Sequence, residues 1–126
     1  MTKTSLFVCI SCKTKNFIDK QSLVPGNQLY EKLKSQNISK SLDIVPIKCL
    51  AACSSGCSIA LSANGKWSYI YGEMDPNIDS EEILLGAYKY ENSKDGIVTW
   101  SERPNVFRKR GRARIPPVQP KDTTNE

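Results

Sequence analysis

Three of the five cysteines fall within one short stretch, CLAACSSGC from Cys49 to Cys57, and the other two, Cys9 and Cys12, close the run LFVCISC near the N-terminus. No histidine accompanies them. Ser-His-Asp and Cys-His catalysis are therefore excluded, as is every metal site that needs imidazole. Thiolate chemistry remains. The spacings C-x2-C and C-x3-C-x3-C suit a site that collects soft sulfur ligands from two loops.

Two kinds of centre fit such a donor set. Four thiolates can hold a [2Fe-2S] cluster, whose own chemistry supplies a one-electron step. Four thiolates around zinc would make a closed structural site, adding folding energy without redox function. Ala51, Ala52, Ser54, Ser55 and Gly56 let backbone approach the site closely, so that peptide N–H groups could hydrogen-bond to sulfur. A bland alternative buries the cysteines as small apolar residues, but that would not group them at the ends of two strands. A dithiol at Cys9-Ile-Ser-Cys12 would need a helix N-terminus to activate its thiol, and the helical pattern starts about fifteen residues later.

The positioning elements can be read from pattern. SLFV, Ser5 to Val8, is a β-prone run that ends on the first cysteine pair. NQLYEKLKSQN places Leu29 and Leu33 on one helical face after Pro25-Gly26, giving a helix from about Asn27 to Gln36. LDIVPIKC is a second strand in which Pro46 signals an edge or a bulge. CSIALS and KWSYIYGEM flank Ala63-Asn64-Gly65 and form an antiparallel hairpin, since Asn and Gly both tolerate positive φ. DSEEILLGAYKYEN starts a second helix, with Asp79 and Glu82 at the spacing of a reciprocal capping box. The order is a parallel βαβ unit followed by ββα, an α/β fold of thioredoxin-like arrangement. A crossover between the first two strands brings Cys9 and Cys12 beside Cys49 and Cys53.

One domain spanning residues 1–126 is expected, with its sheet and two helices within about residues 4–92 and an extended basic segment over 93–126. The residues from Glu73 to Glu102 hold eight of the thirteen acids, and those from Arg103 to Arg114 hold six of the eighteen Lys and Arg residues, within a net charge of +5. FRKRGRAR reads first as a solvated terminus and then as a dock for an acidic redox partner. The absence of aromatic interleaving argues against nucleic acid. Neither a secretory leader nor an apolar run of about 20 residues is seen, so a cytoplasmic location without membrane insertion is expected. A homodimer is compatible with all of this. Trp67, Tyr69 and Tyr71 alternate along one strand and read as packing. Asp75, Asp79, Glu81 and Glu82 read as helix-start residues rather than a hard-metal site.

The stretch CLAACSSGCSIALSANGKWSYIYGEMDP, with LFVCISC and SKDGIVTWSERPNVFRKRGRARIPP, resembles a bacterial family of small metal-binding proteins often encoded near cobalamin-biosynthesis genes. VPIKCLAAC is similar, more distantly, to the second cysteine pair of thioredoxin-like [2Fe-2S] ferredoxins and of the small thioredoxin-like subunit of respiratory NADH dehydrogenase. That resemblance implies a cluster ligated by Cys49 and Cys53, with Cys9 as the first ligand. Only two residues separate Cys9 from Cys12, fewer than in those ferredoxins, and Cys57 has no counterpart in them. Cys12 is the expected fourth ligand because it gives each loop a pair, with Cys57 as the alternative. The expected function is that of an electron carrier or redox adaptor rather than an enzyme. The rival is a protein that handles zinc or cobalt in cobalamin metabolism.

Overall fold

The computed structural model of the chain describes residues 3–11, 24–48, 50 and 57–117. In chain order the elements are β1 (Thr4–Cys9), α1 (Pro25–Gln36), β2 (Leu42–Ile47), β3 (Cys57–Ala63), β4 (Ser68–Met74), α2 (Ser80–Glu91), a 3-10 turn (Trp100–Glu102), α3 (Asn105–Lys109) and β5 (Gly111–Ile115). The strands form one sheet in the order β2-β1-β3-β4-β5. β1 and β2 run parallel, and every other neighbouring pair is antiparallel.

Alternation along the strands decides where the core lies. Leu6 and Val8 of β1, Ile59 and Leu61 of β3, and Tyr69 and Tyr71 of β4 share one buried cluster with Leu29 and Leu33 of α1, Ile83, Ala87 and Tyr90 of α2, and Val106 and Phe107 of α3. All three helices therefore cover a single face. Each large aliphatic side chain taken fully out of water there contributes roughly 1.5–3 kcal/mol. Pro46 faces Val8 on β2, which is an edge strand, so its missing N–H leaves no gap in the middle of the sheet. Pro25 opens α1 in the first turn, where its fixed φ suits the helix and no N–H is needed.

The expected β3–β4 hairpin is formed, and one local reading of the sequence is corrected. The hairpin turn is closed by the Lys66 N–H donating to the Ala63 carbonyl at 3.1 Å. Gly65 alone takes positive φ there, at 74°, while Asn64 does not. The expected capping box at α2 is not formed, because the Asp79 side chain makes no cap hydrogen bond. Its carboxylate instead accepts from the Asp75 N–H at 2.7 Å and from Arg110. Glu82 turns towards α3 and accepts from the Val106 N–H at 3.4 Å.

The sheet also continues beyond the four strands read from pattern. The segment expected to be an extended basic tail contributes α3 and a fifth strand, β5, which pairs with β4. Phe107 lies over Gly86 of α2, where any Cβ would collide with its ring. The same ring stacks on Tyr71 with centroids 4.2 Å apart. Arg112 crosses Gly72, where a Cβ would stand 2.8 Å from its Nε, and pairs with Glu73. Two glycines in regular elements, costly in isolation, are thus explained by what the C-terminal segment lays across them.

Candidate functional site

The parallel pairing of β1 with β2 puts Cys9 in register with Ile47. The Ile10 N–H extends this pairing by donating to the Ile47 carbonyl at 2.9 Å. Cys9 is fully buried. Its Sγ lies 3.6 Å from the Lys48 carbonyl oxygen and 3.7 Å from Ser11 Oγ, and the Ser11 hydroxyl also donates to the Lys48 carbonyl. Lys48 immediately precedes Cys49 in sequence. On the other side of Cys49, Leu50 packs against the core. The C-terminal ends of β1 and β2 thus meet at the Lys48 carbonyl. A thiol at Cys9 donates to that oxygen, whereas a thiolate would take the Ser11 hydroxyl as its own donor.

Cys57 opens β3, fully buried and in register with Met74. Burial above all, then the negative charges of Asp75, Cys9 and Asp79, push its thiol up to about 12. Cys57 is therefore a neutral, packed side chain within electrostatic reach of Cys9. Cys12, Cys49 and Cys53 lie outside the described residues. Among the described residues, no group of three or more Cys, Asp or Glu side chains is placed to hold a metal ion.

The acidic residues near Cys57 are occupied by the fold. The Asp79 side chain is only 4% exposed and forms an ion pair with Arg110, whose Nη1 also donates to the Glu73 carbonyl at 3.0 Å. Glu73 is the one described non-glycine residue with positive φ, 58°. Tyr69 and Tyr71 are buried as packing residues. Trp67 lies under the Arg114 guanidinium at 4.8 Å.

The sequence matches, over residues 6–117, the family model described as "Protein of unknown function (DUF1636)". The chain belongs to the DUF1636 family. The matched stretch includes all five cysteines, α3 and β5. This DUF1636 protein also resembles a solved structure, a thioredoxin-like [2Fe-2S] ferredoxin from Aquifex aeolicus. Identity is 17%, covering 75% of this chain and 87% of that one, with a TM-score of 0.50. At that identity the likeness speaks for the fold, and the arrangement expected from the element order is thioredoxin-like. No curated protein matches the sequence. Among the described residues of the DUF1636 chain, no helix is long and apolar enough to cross a membrane.

Two features of the site were not read from the sequence. Ser11 lies within CISC, and nothing local in the sequence marks the Lys48 carbonyl to which its hydroxyl donates. The Arg110–Asp79 pair joins residues 31 positions apart, and no local pattern marks it.

Proposed function

We propose that this DUF1636 protein is a ferredoxin-type electron carrier or redox adaptor and not an enzyme, and that Cys9, Cys12, Cys49 and Cys53 hold a [2Fe-2S] cluster. One observation carries the reading: buried Cys9 Sγ lies 3.6 Å from the carbonyl of the residue before Cys49. That contact sets Cys9 against the residue that leads into Cys49 in sequence, as a ligand set drawn from both segments would require. The donor set fits the centre, since thiolates from two segments are what such a cluster takes, and the cluster would supply a one-electron step. The protein's own residues do the rest. Burial of Cys9 keeps water from the sulfur, and Ser11 Oγ, at 3.7 Å, is placed to hydrogen-bond it, an interaction that tunes potential. Cys57, packed and neutral, would be a spare thiol and the alternative fourth ligand.

The test is a set of single Cys→Ser variants reconstituted under anaerobic conditions and compared by iron content and visible absorption. Cys9→Ser, Cys12→Ser, Cys49→Ser and Cys53→Ser should each lose or alter the chromophore, and Cys57→Ser should keep it. A colourless wild-type protein carrying stoichiometric zinc would replace this reading with that of a soft-metal protein. Loss with Cys57→Ser and retention with Cys12→Ser would reassign the fourth ligand.

A further inference from the structure

The C-terminal basic segment is built into the fold, yet only two of its six bases from Arg103 to Arg114 are ion-paired among the described residues. Arg110 is neutralised by Asp79 and Arg112 by Glu73. Arg103, Arg108, Lys109 and Arg114 form no ion pair among the described residues. Trp100, in the neighbouring 3-10 turn, is 61% exposed, and its segment is braced. Arg103 Nε donates to the Val98 carbonyl at 2.7 Å, Arg108 Nε to the Trp100 carbonyl at 3.0 Å, and Arg108 Nη2 to the Ser101 carbonyl at 2.9 Å. The Arg103 guanidinium lies 5.5 Å from the centre of the indole. A large aromatic left mostly in solvent beside cations lies outside the core formed by the described residues. It has the composition of an interface hot spot, rigid Trp flanked by Arg, whose ordering cost is already met before binding.

The geometry points to the surface of Trp100, Arg103, Arg108 and Lys109 as the docking face for an acidic redox partner protein, with the indole as its anchor. Charge complementarity selects the partner. A nucleic-acid strand fits less well, because it needs successive open rings for stacking. Here Tyr69 and Tyr71 are buried, and Trp67 is covered by Arg114. The face lies over β4, two strand positions from the strand that ends in Cys9. Val8, Ile59 and Tyr71 occupy one register row across β1, β3 and β4, and Phe107, the residue before Arg108, stacks on Tyr71 at 4.2 Å. Two strand spacings bring Tyr71 within about 10 Å of the residue that precedes Cys9.

The redox nature of the partner rests on the electron-carrier reading, while the surface rests on the residues alone, and the experiment separates them. Calorimetric titration of the full-length protein with oxidised flavodoxin, an acidic one-electron protein, needs no cluster. Saturable binding that weakens with salt, roughly ten-fold with Trp100→Ala and several-fold with Lys109→Glu, but not with Lys40→Glu, is the expected result. No binding, or binding indifferent to Trp100 and Lys109, overturns the proposal. Tighter binding of a single-stranded DNA dodecamer that is lost in Trp100→Ala overturns it in favour of nucleic acid. Iron assayed on the same sample reads the other claim: iron-free protein that binds through Trp100 keeps the surface and sinks the electron carrier. Iron-loaded protein that ignores flavodoxin does the reverse.

Discussion

At the junction of β1 and β2, a fully buried thiol meets a backbone carbonyl 39 residues away, in surroundings built by alternating apolar side chains. At the far edge of the sheet, every residue of β5 is exposed. That strand is held by its backbone pairing to β4, by Arg112 with Glu73, and by Arg114 over Trp67. One region is fixed by what it buries and the other by what it anchors. The contrast shows that a run of cations is not necessarily a solvated tail. Here guanidinium groups provide the contacts that an apolar alternation would provide elsewhere; Gly72 on the receiving strand makes room for Arg112, and Gly86 on α2 makes room for the Phe107 ring.

The comparison is broken most sharply at Phe107. If the C-terminal segment is integral, Phe107→Ala should cost about 3–5 kcal/mol in chemical denaturation, whereas a loosely attached segment would lose almost nothing. Gly86 turns the same point into a change of sign. Gly86→Ala should destabilise the wild type, because the Phe107 ring occupies the space of the new Cβ. In a Phe107→Ala background, the same substitution should stabilise by up to about 1 kcal/mol through helix propensity. A destabilising effect in both backgrounds would contradict the packing described.

Arg110 comes next. Arg110→Met leaves the Asp79 carboxylate without its cation in a nearly closed environment, and a cost of about 3 kcal/mol is expected. Asp79→Asn in the same background should recover part of it. Denaturation midpoints of the four members of that double-mutant cycle measure the coupling, and additive effects would show that the pair does not tie the C-terminal segment to the start of α2.

A smaller effect concerns alkaline pH. Tyr90 donates from its hydroxyl to the Trp67 carbonyl, and burial, followed by Tyr69, raises it to about 12. The folded state then keeps a proton that the unfolded chain loses near pH 10, so this contribution is full below about pH 10 and is lost as pH rises towards 12. Tyr90→Phe should cost about 1 kcal/mol at neutral pH and flatten the decline above pH 10. An equally steep decline in the variant would place the loss elsewhere. The smallest change is expected from Gly72→Ala, under about 1 kcal/mol. The Cβ meets the movable Arg112 side chain rather than backbone, and the Arg112–Glu73 pair should be displaced, visible as a shift of the Glu73 carboxylate carbon resonance.

The sequence was legible where burial imposes a period. Leu6 and Val8, Leu29 and Leu33, and Ile83 and Ala87 marked their elements because each faces the same core. Pro46 marked an edge because the middle of a sheet needs its N–H. The pairing of the two cysteine-bearing strand ends followed from the parallel crossover alone. β5 was not legible: GRARI sets only Ala113 and Ile115 opposite Arg112 and Arg114, too little apolar surface to mark a buried face, all five residues are exposed, and its strand state is dictated by the open edge of β4. Nor was α3, whose five residues are too few to show a helical period. Asp79 misled because its spacing to Glu82 is that of a capping box, while a longer-range partner, Arg110, claims its carboxylate. At the candidate site, spacing singled out the cysteines as candidates, but the contact of Ser11 depends on a carbonyl brought from another strand.

The most direct measurement of the electron-carrier claim is paramagnetic resonance of the anaerobically purified protein before and after reduction, with iron and acid-labile sulfide quantified on the same sample. The account predicts a reddish-brown protein with equal iron and sulfide, silent when oxidised. On reduction it should give a signal integrating to about one unpaired electron per chain, as expected for a [2Fe-2S] cluster. A colourless protein that holds zinc, or neither metal, and gives no signal on reduction would contradict it.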